Sequence, residues 1–162
     1  MISIRPAAPS EADIVHDMLL EAAGWVDALG VVMWEAGELD FAAVAGEVAA
    51  GQFYIADVDG RAAGAIRFQA EDLLFWPDIE QASSAFVHRL VVRREFKGAG
   101  VSTALLEWAV EHARGVGKTW LRLDTDNDRP KLKALYERFG FTLHSYRQVG
   151  PYYVARYEYR LT

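Results

Sequence analysis

The chain contains no cysteine, so disulfides and thiol catalysis are excluded. No apolar run approaches the roughly 18 residues needed to cross a bilayer. The opening Met1-Ile2-Ser3-Ile4-Arg5-Pro6 lacks the apolar core of a signal peptide. The expected setting is therefore the cytoplasm, with no membrane partner. Positive charge is also in the minority: 17 basic residues against 23 acidic ones leave a net charge of -6. That argues against nucleic acid as a partner, which wants a basic surface, although Arg89, Arg93, Arg94 and Lys97 lie close together in sequence. No repeat, low-complexity tract or linker interrupts the 162 residues, so a single domain over 1–162 is expected, long enough to bury roughly 70% of the surface its unfolded chain exposes.

Apolar residues make up 52% of the chain and set its periodicities. Ile2 to Arg5 alternates as a strand. Ser10 with Asp13 reads as a capping pair before a helix whose stripe is Ile14, Met18, Leu19, Ala22 and Trp25, broken at Gly30 or Gly37. Asp40 caps a second helix over about 41–50, which Gly51 stops. Two apolar runs flank Asp59-Gly60, a strong hairpin signal. An irregular stretch, 71–83, precedes a buried strand ending in Phe86-Val87-His88-Arg89-Leu90-Val91-Val92. Val101, Ala104, Leu105 and Trp108 then recur at helical spacing to about Arg114. Trp120 to Asp124 is a strand, Pro130 to Phe139 a helix with Gly140 as its stop, and two strands finish the chain. The last alternates through Tyr153, Ala155, Tyr157 and Tyr159 and is a candidate for pairing across a homodimer. The order β-α-α-β-β-β-α-β-α-β-β implies a mixed α/β sheet flanked by helices.

The most informative stretch is Lys97-Gly98-Ala99-Gly100-Val101-Ser102, between strand and helix. Small residues let a backbone approach a ligand closely, and the first amides of a helix lack intrahelical partners and carry the positive end of its dipole. Together these bind phosphate. Further on, Tyr136-Glu137-Arg138-Phe139-Gly140-Phe141 closes the last helix.

These features together resemble the GNAT superfamily of N-acetyltransferases, whose (Gln/Arg)-x-x-Gly-x-(Gly/Ala) turn binds the pyrophosphate of acetyl-CoA. Here Lys97, Gly100 and Ser102 take the three motif places, so the planar fork of an arginine is missing and the final small residue carries a hydroxyl. Tyr136, Glu137, Gly140 and Phe141 match the family's Tyr-Glu-x-x-Gly-Phe ending. A bacterial branch of the family is more similar still, through a Trp after the first helix, Trp76-Pro77, and His88-Arg89-Leu90-Val91-Val92. The resemblance implies an acyl-CoA N-acyltransferase fold with a largely antiparallel sheet, and transfer of acetyl from acetyl-CoA to a primary amine, carried by a small molecule or a peptide. It implies pyrophosphate held by Lys97, Gly98, Ala99, Gly100, Val101, Ser102 and Thr103. The pantetheine arm would lie along Leu90, Val91 and Val92. The family's Asn-Pro is Arg129-Pro130 here, which leaves Asn127 and Arg129 as candidates for a further cofactor contact. A longer acyl donor, or a silent CoA-binding module, is compatible with the same residues.

Tyr136 is the candidate proton donor to the departing thiolate, because a phenol keeps its proton at neutral pH. His88 is the candidate base, since imidazole titrates near neutrality. By strand alternation it shares a face with Leu90. Asp72, Asp78 and Glu80 either bind a cationic amine or are solvated. The run Asp124-Thr125-Asp126-Asn127-Asp128 either chelates or is a solvated loop, and no metal is expected. Trp25, Trp34, Phe75 and Trp76 either line an acceptor pocket or fill the core.

Overall fold

The computed structural model describes residues 1–27 and 39–162, without the side chains of 25–27. Gly30, Trp34 and Gly37, and the side chain of Trp25, lie outside the described residues. The chain divides into two compact units, each discontinuous in sequence. The strand order is β1-β2-β3-β4-β5-β7-β6. The pair β4–β5 is parallel, and β1–β2, β2–β3, β5–β7 and β6–β7 are antiparallel. The expected mixed sheet and the expected order of elements are both present.

The first unit comprises 1–67 and 89–106. It holds β1 (Ile2–Pro6), α1 (Ala12–Asp27), α2 (Phe41–Ala49), β2 (Phe53–Val58) and most of β3 (Arg61–Gln69), with the end of β4 (Ser84–Val92) and the start of α3 (Val101–Gly115). Asp59 and Gly60 both have positive φ, 49° and 80°, which is the backbone a two-residue hairpin between twisted strands demands. Val15, Met18 and Leu19 of α1 and Val44 and Val48 of α2 form one core with Phe53, Ile55, Ala65 and Val91. Val15 thus joins the expected stripe, while Ile14 and Ala22 are only partly buried. The helix entry differs from the expected Ser10–Asp13 pair. A turn of 3-10 helix, Pro9–Glu11, precedes α1, and the Glu11 carboxylate accepts the Ala8 N–H at 2.9 Å and Arg5 at 2.6 Å. Asp40 stands at the start of α2 without a side-chain cap bond.

The second unit comprises 68–88 and 107–162. It holds the start of β4, the rest of α3, β5 (Trp120–Asp126), α4 (Pro130–Phe139), β6 (Thr142–Val149) and β7 (Tyr152–Arg160). Two expectations for β7 are corrected here. Val154, Ala155, Arg156 and Tyr157 are all buried in succession, because β7 runs between β5 and β6 and is covered on both faces. It is paired along both edges, so it has no free edge with which to extend a dimer; β6 takes the outer position. Trp76 fills the core rather than lining an open pocket: it is fully buried, with the guanidinium carbons of Arg156 and Arg122 4.6 and 5.0 Å from its ring centroid.

Candidate active site

In the first unit, a short 3-10 turn (Arg94–Phe96) leads into the glycine segment. Gly98 and Gly100 both sit at φ +84°, a left-handed backbone that side chains adopt only under strain. The Ala104 N–H is the first to close on the turn, reaching the Gly100 carbonyl at 3.0 Å. The amides of Val101, Ser102 and Thr103 therefore have no acceptor within the helix. Lys97, Gly98, Ala99, Gly100 and Thr103 are exposed, Ser102 is half-buried, and Val101 is buried. What seats this helix end is a glycine that sequence reasoning passed over. A Cβ on Gly64 would lie 2.7 Å from the Val91 carbonyl oxygen and 2.9 Å from a Val101 methyl. Behind the turn, Glu21 of α1 accepts the Arg94 N–H at 3.0 Å. Leu90 and Val92 are half-buried and Val91 is buried.

Arg89 lies at φ +53°, one of two described non-glycine residues in the left-handed region. Such strain persists only where the surroundings hold it, and the Arg89 guanidinium donates to Glu47 at 2.8 Å. The alternation that would place His88 and Leu90 on one face assumes an unbroken pleat, and Arg89 breaks it. The β4–β5 ladder also stops early. Ser84, Ala85 and Phe86 pair with Trp120, Leu121 and Arg122, and the described ladder ends there.

In the second unit, His88 stands between two carboxylates. Its Nε2 is 2.8 Å from Asp72 Oδ2, and its Nδ1 is 3.6 Å from Asp124 Oδ2. The side chains of Asp72, His88 and Asp124 are 5%, 15% and 9% exposed. Asp72 is fixed by its own turn: Oδ1 accepts the N–H groups of Leu74 and Phe75 at 3.1 and 3.0 Å, and the Asp72 N–H donates to Gln81 at 2.8 Å. Burial pushes its carboxyl up, but the His88 hydrogen bond and charge, with the two amides, outweigh burial and hold it below the usual value. Burial pushes the Asp124 carboxyl up to about 6, against the pull of His88. Asp124 Oδ2 is buried with no hydrogen-bond partner among the described residues.

Asp72 and Asp78 are thus spent on internal partners. Asp78 accepts both arms of the Arg156 guanidinium at 2.7 and 3.0 Å, which holds it down at about 2. Glu80 is exposed. Asp124 was read as the head of a solvated loop, but it lies inside β5. The parallel register offers the signal that would have found it: Ser84 pairs with Trp120, and His88 and Asp124 are separated by the same offset of 36 residues. The donor atoms of Asp72, His88 and Asp124 lie within 4.8 Å of one another. However, the two carboxylates face opposite nitrogens of one ring, of which a metal ion takes only one, so the set is arranged as a hydrogen-bonded relay rather than a cage.

Tyr136 is buried on α4, its ring packed near Phe141 and Tyr157. Burial, then the charge of Asp124, raises its phenol well above the ordinary value, so it holds its proton firmly. The Asn127 side-chain oxygen accepts Lys133 at 2.9 Å. Arg129 precedes α4 and donates its N–H to the Asp126 carbonyl. The expected site residues therefore divide. Leu90, Val91, Val92 and 97–103 belong to the first unit, and His88, Asn127, Arg129 and Tyr136 to the second.

Comparison with known proteins bears directly on this arrangement. The chain is 27% identical over 143 residues to the uncharacterized N-acetyltransferase YesJ of Bacillus subtilis, covering 84% of this chain and 79% of that protein. Its fold is similar to a GNAT-family acetyltransferase from Streptococcus agalactiae, with a TM-score of 0.83 at 17% identity over 98% of this chain and 95% of the other. It is similar also to yncA of Salmonella typhimurium, an acetyltransferase solved with its cofactor acetyl-CoA, with a TM-score of 0.76 at 16% identity over 100% and 95% of the two chains. The sequence pattern of the acetyltransferase (GNAT) family matches residues 20–141, and the chain belongs to that family.

Proposed function

We propose that the protein is an N-acetyltransferase that moves acetyl from acetyl-CoA directly to a primary amine. The observation that carries this reading is the turn at 98–103, where two glycines at φ +84° precede three helix amides with no intrahelical acceptor. A diphosphate fits that chemistry: the backbone N–H groups donate, the helix dipole favours negative charge, and Lys97 and the Ser102 hydroxyl add donors. The early end of the β4–β5 ladder supports the second contact, in which the backbone at Leu90, Val91 and Val92 receives the extended amide arm of the ligand as a strand would. Asn127 and Arg129 are assigned a contact to the same arm.

Acetyl-CoA supplies an activated acyl thioester. The protein's own groups have three tasks. They hold the two substrates together, an effect that supplies roughly 7–11 kcal/mol when geometry is good. His88 takes a proton from the acceptor, since only the neutral amine attacks a carbonyl. Tyr136, kept protonated by its surroundings, gives a proton to the leaving sulfur and regains one from the new amide nitrogen. Calorimetry tests the first contact. Gly100→Glu puts bulk and negative charge at the turn, and Ser102→Glu adds the charge without straining a left-handed residue. Both are expected to abolish acetyl-CoA binding at concentrations that saturate the wild type, and unchanged affinity in Ser102→Glu refutes the assignment. Release of CoA thiol across a panel of primary amines tests the second step.

A further inference from the structure

We propose that the two carboxylates flanking His88 divide its chemistry between them: Asp72 fixes which ring nitrogen carries the proton, and Asp124 stabilises the imidazolium formed when the other nitrogen takes a proton from the acceptor amine. This inference rests on the proposed function for its chemistry and on the geometry for its assignment. Asp72 is locked before His88 meets it. Two backbone N–H groups occupy Oδ1, which leaves Oδ2 to accept from Nε2 at 2.8 Å. A carboxylate in that position dictates the tautomer with hydrogen on Nε2 and the lone pair on Nδ1. Asp124 faces that lone pair at 3.6 Å, an ion-pair separation too long for a hydrogen bond. Lone pair and carboxylate oppose each other until a proton arrives on Nδ1, and then they attract.

The other groups facing Asp124 do not cancel this effect. Tyr136 on α4 is neutral, and Asp72 is turned to Nε2. Arg156, opposite Asp124 in the β5–β7 ladder, is committed to Asp78, Ser145 and the Phe75 carbonyl. The remaining neighbour of the imidazole is the Phe75 ring, with centroids 6.0 Å apart, which brings no charge. In the step itself the ammonium N–H bond breaks, its electron pair stays on the amine nitrogen, and the proton forms the Nδ1–H bond. The amine then attacks as a neutral nucleophile, and the imidazolium later returns its proton to water. Asp124 touches no substrate in this scheme and is a positioning residue.

The two roles separate in 15N spectra of the histidine rings of the full-length protein, which report tautomer and charge without any substrate. Wild-type His88 is expected to be Nε2-protonated when neutral. Asp124→Asn is expected to keep that tautomer and to lower the His88 titration midpoint by on the order of one pH unit, as loss of a charge at this distance should. Asp72→Asn is expected to shift the neutral ring toward the Nδ1-protonated form. An unchanged midpoint in Asp124→Asn, or an unchanged tautomer in Asp72→Asn, overturns the proposal. Matching amide spectra establish that each variant folds, and Asp124→Ser is read in the same way if the asparagine does not. Failure of every amine to release CoA thiol would count against the proposed function and leave this result standing. Acetyl transfer with an unmoved His88 would do the reverse.

Discussion

Single atoms decide much of this protein's chemistry. Gly64→Ala places a methyl 2.7 Å from a backbone oxygen that cannot swing aside. Overpacking of this kind typically costs about 1–3 kcal/mol, so thermal unfolding should show a lower midpoint, and calorimetry a weaker grip on acetyl-CoA because Val101 opens the phosphate turn. Tyr136→Phe removes one hydroxyl from a buried ring that already packs well. It should leave the melting temperature nearly unchanged while lowering kcat by roughly 10²–10⁴, the usual range for a lost general acid; an unchanged kcat would exclude Tyr136 as the donor. The phosphate turn was legible in the sequence because glycine spacing is local chemistry. Gly64 was not, since a glycine inside a strand announces close approach without saying of what. The pairing of Asp72 with His88 was hidden for a related reason: sixteen residues of irregular loop separate them, and no periodicity reports where such a loop returns.

The loop over 70–83 behaves as an element in its own right, although it has no repeating structure. Its anchor is Trp76, whose ring is flanked by two buried guanidinium groups and whose carbonyl accepts Gln81 at 2.6 Å. Trp76→Ala should cost roughly 3–5 kcal/mol, as large aromatic truncations do. Because Gln81 also holds the Asp72 amide, the same variant should loosen His88 and broaden its 15N ring signals. Trp76 was open to two readings in the sequence, pocket or core, because hydrophobicity does not distinguish them; only the stacked arginines settle it. The helices and strands were readable nearly end to end, since each has a clear period and a glycine or proline stop. The exception is β7. Alternating aromatics predicted one wet face, but neighbouring strands on both edges and cover on both sides bury four residues in a row.

At the scale of the whole molecule, two carboxylates give stability opposite slopes with pH. Asp124 rises from an ordinary 3.8 to about 6 on folding, so the folded state binds the extra proton and stability falls as pH climbs from about 4 to 6. The shift corresponds to about 3 kcal/mol for this nearly buried group. Asp78 moves the other way, from 3.8 to about 2, through its bonds to Arg156, so its contribution is present above about pH 4 and lost as pH falls toward 2. Chemical denaturation at pH 4 and pH 7 should therefore show Asp124→Asn gaining on the wild type as pH rises, and parallel curves for the two proteins would contradict the placement of Asp124.

The seam between β4 and β5 is closed for only three rungs. Beyond Phe86 the polypeptide is prepared to be completed by something that is not polypeptide, so the thioester carrier is in part a missing piece of scaffold. Loading at a hundredfold excess over Kd should add about 2.7 kcal/mol of resistance to unfolding. Deuterium uptake along the far half of β4 should slow by more than it does anywhere in β6.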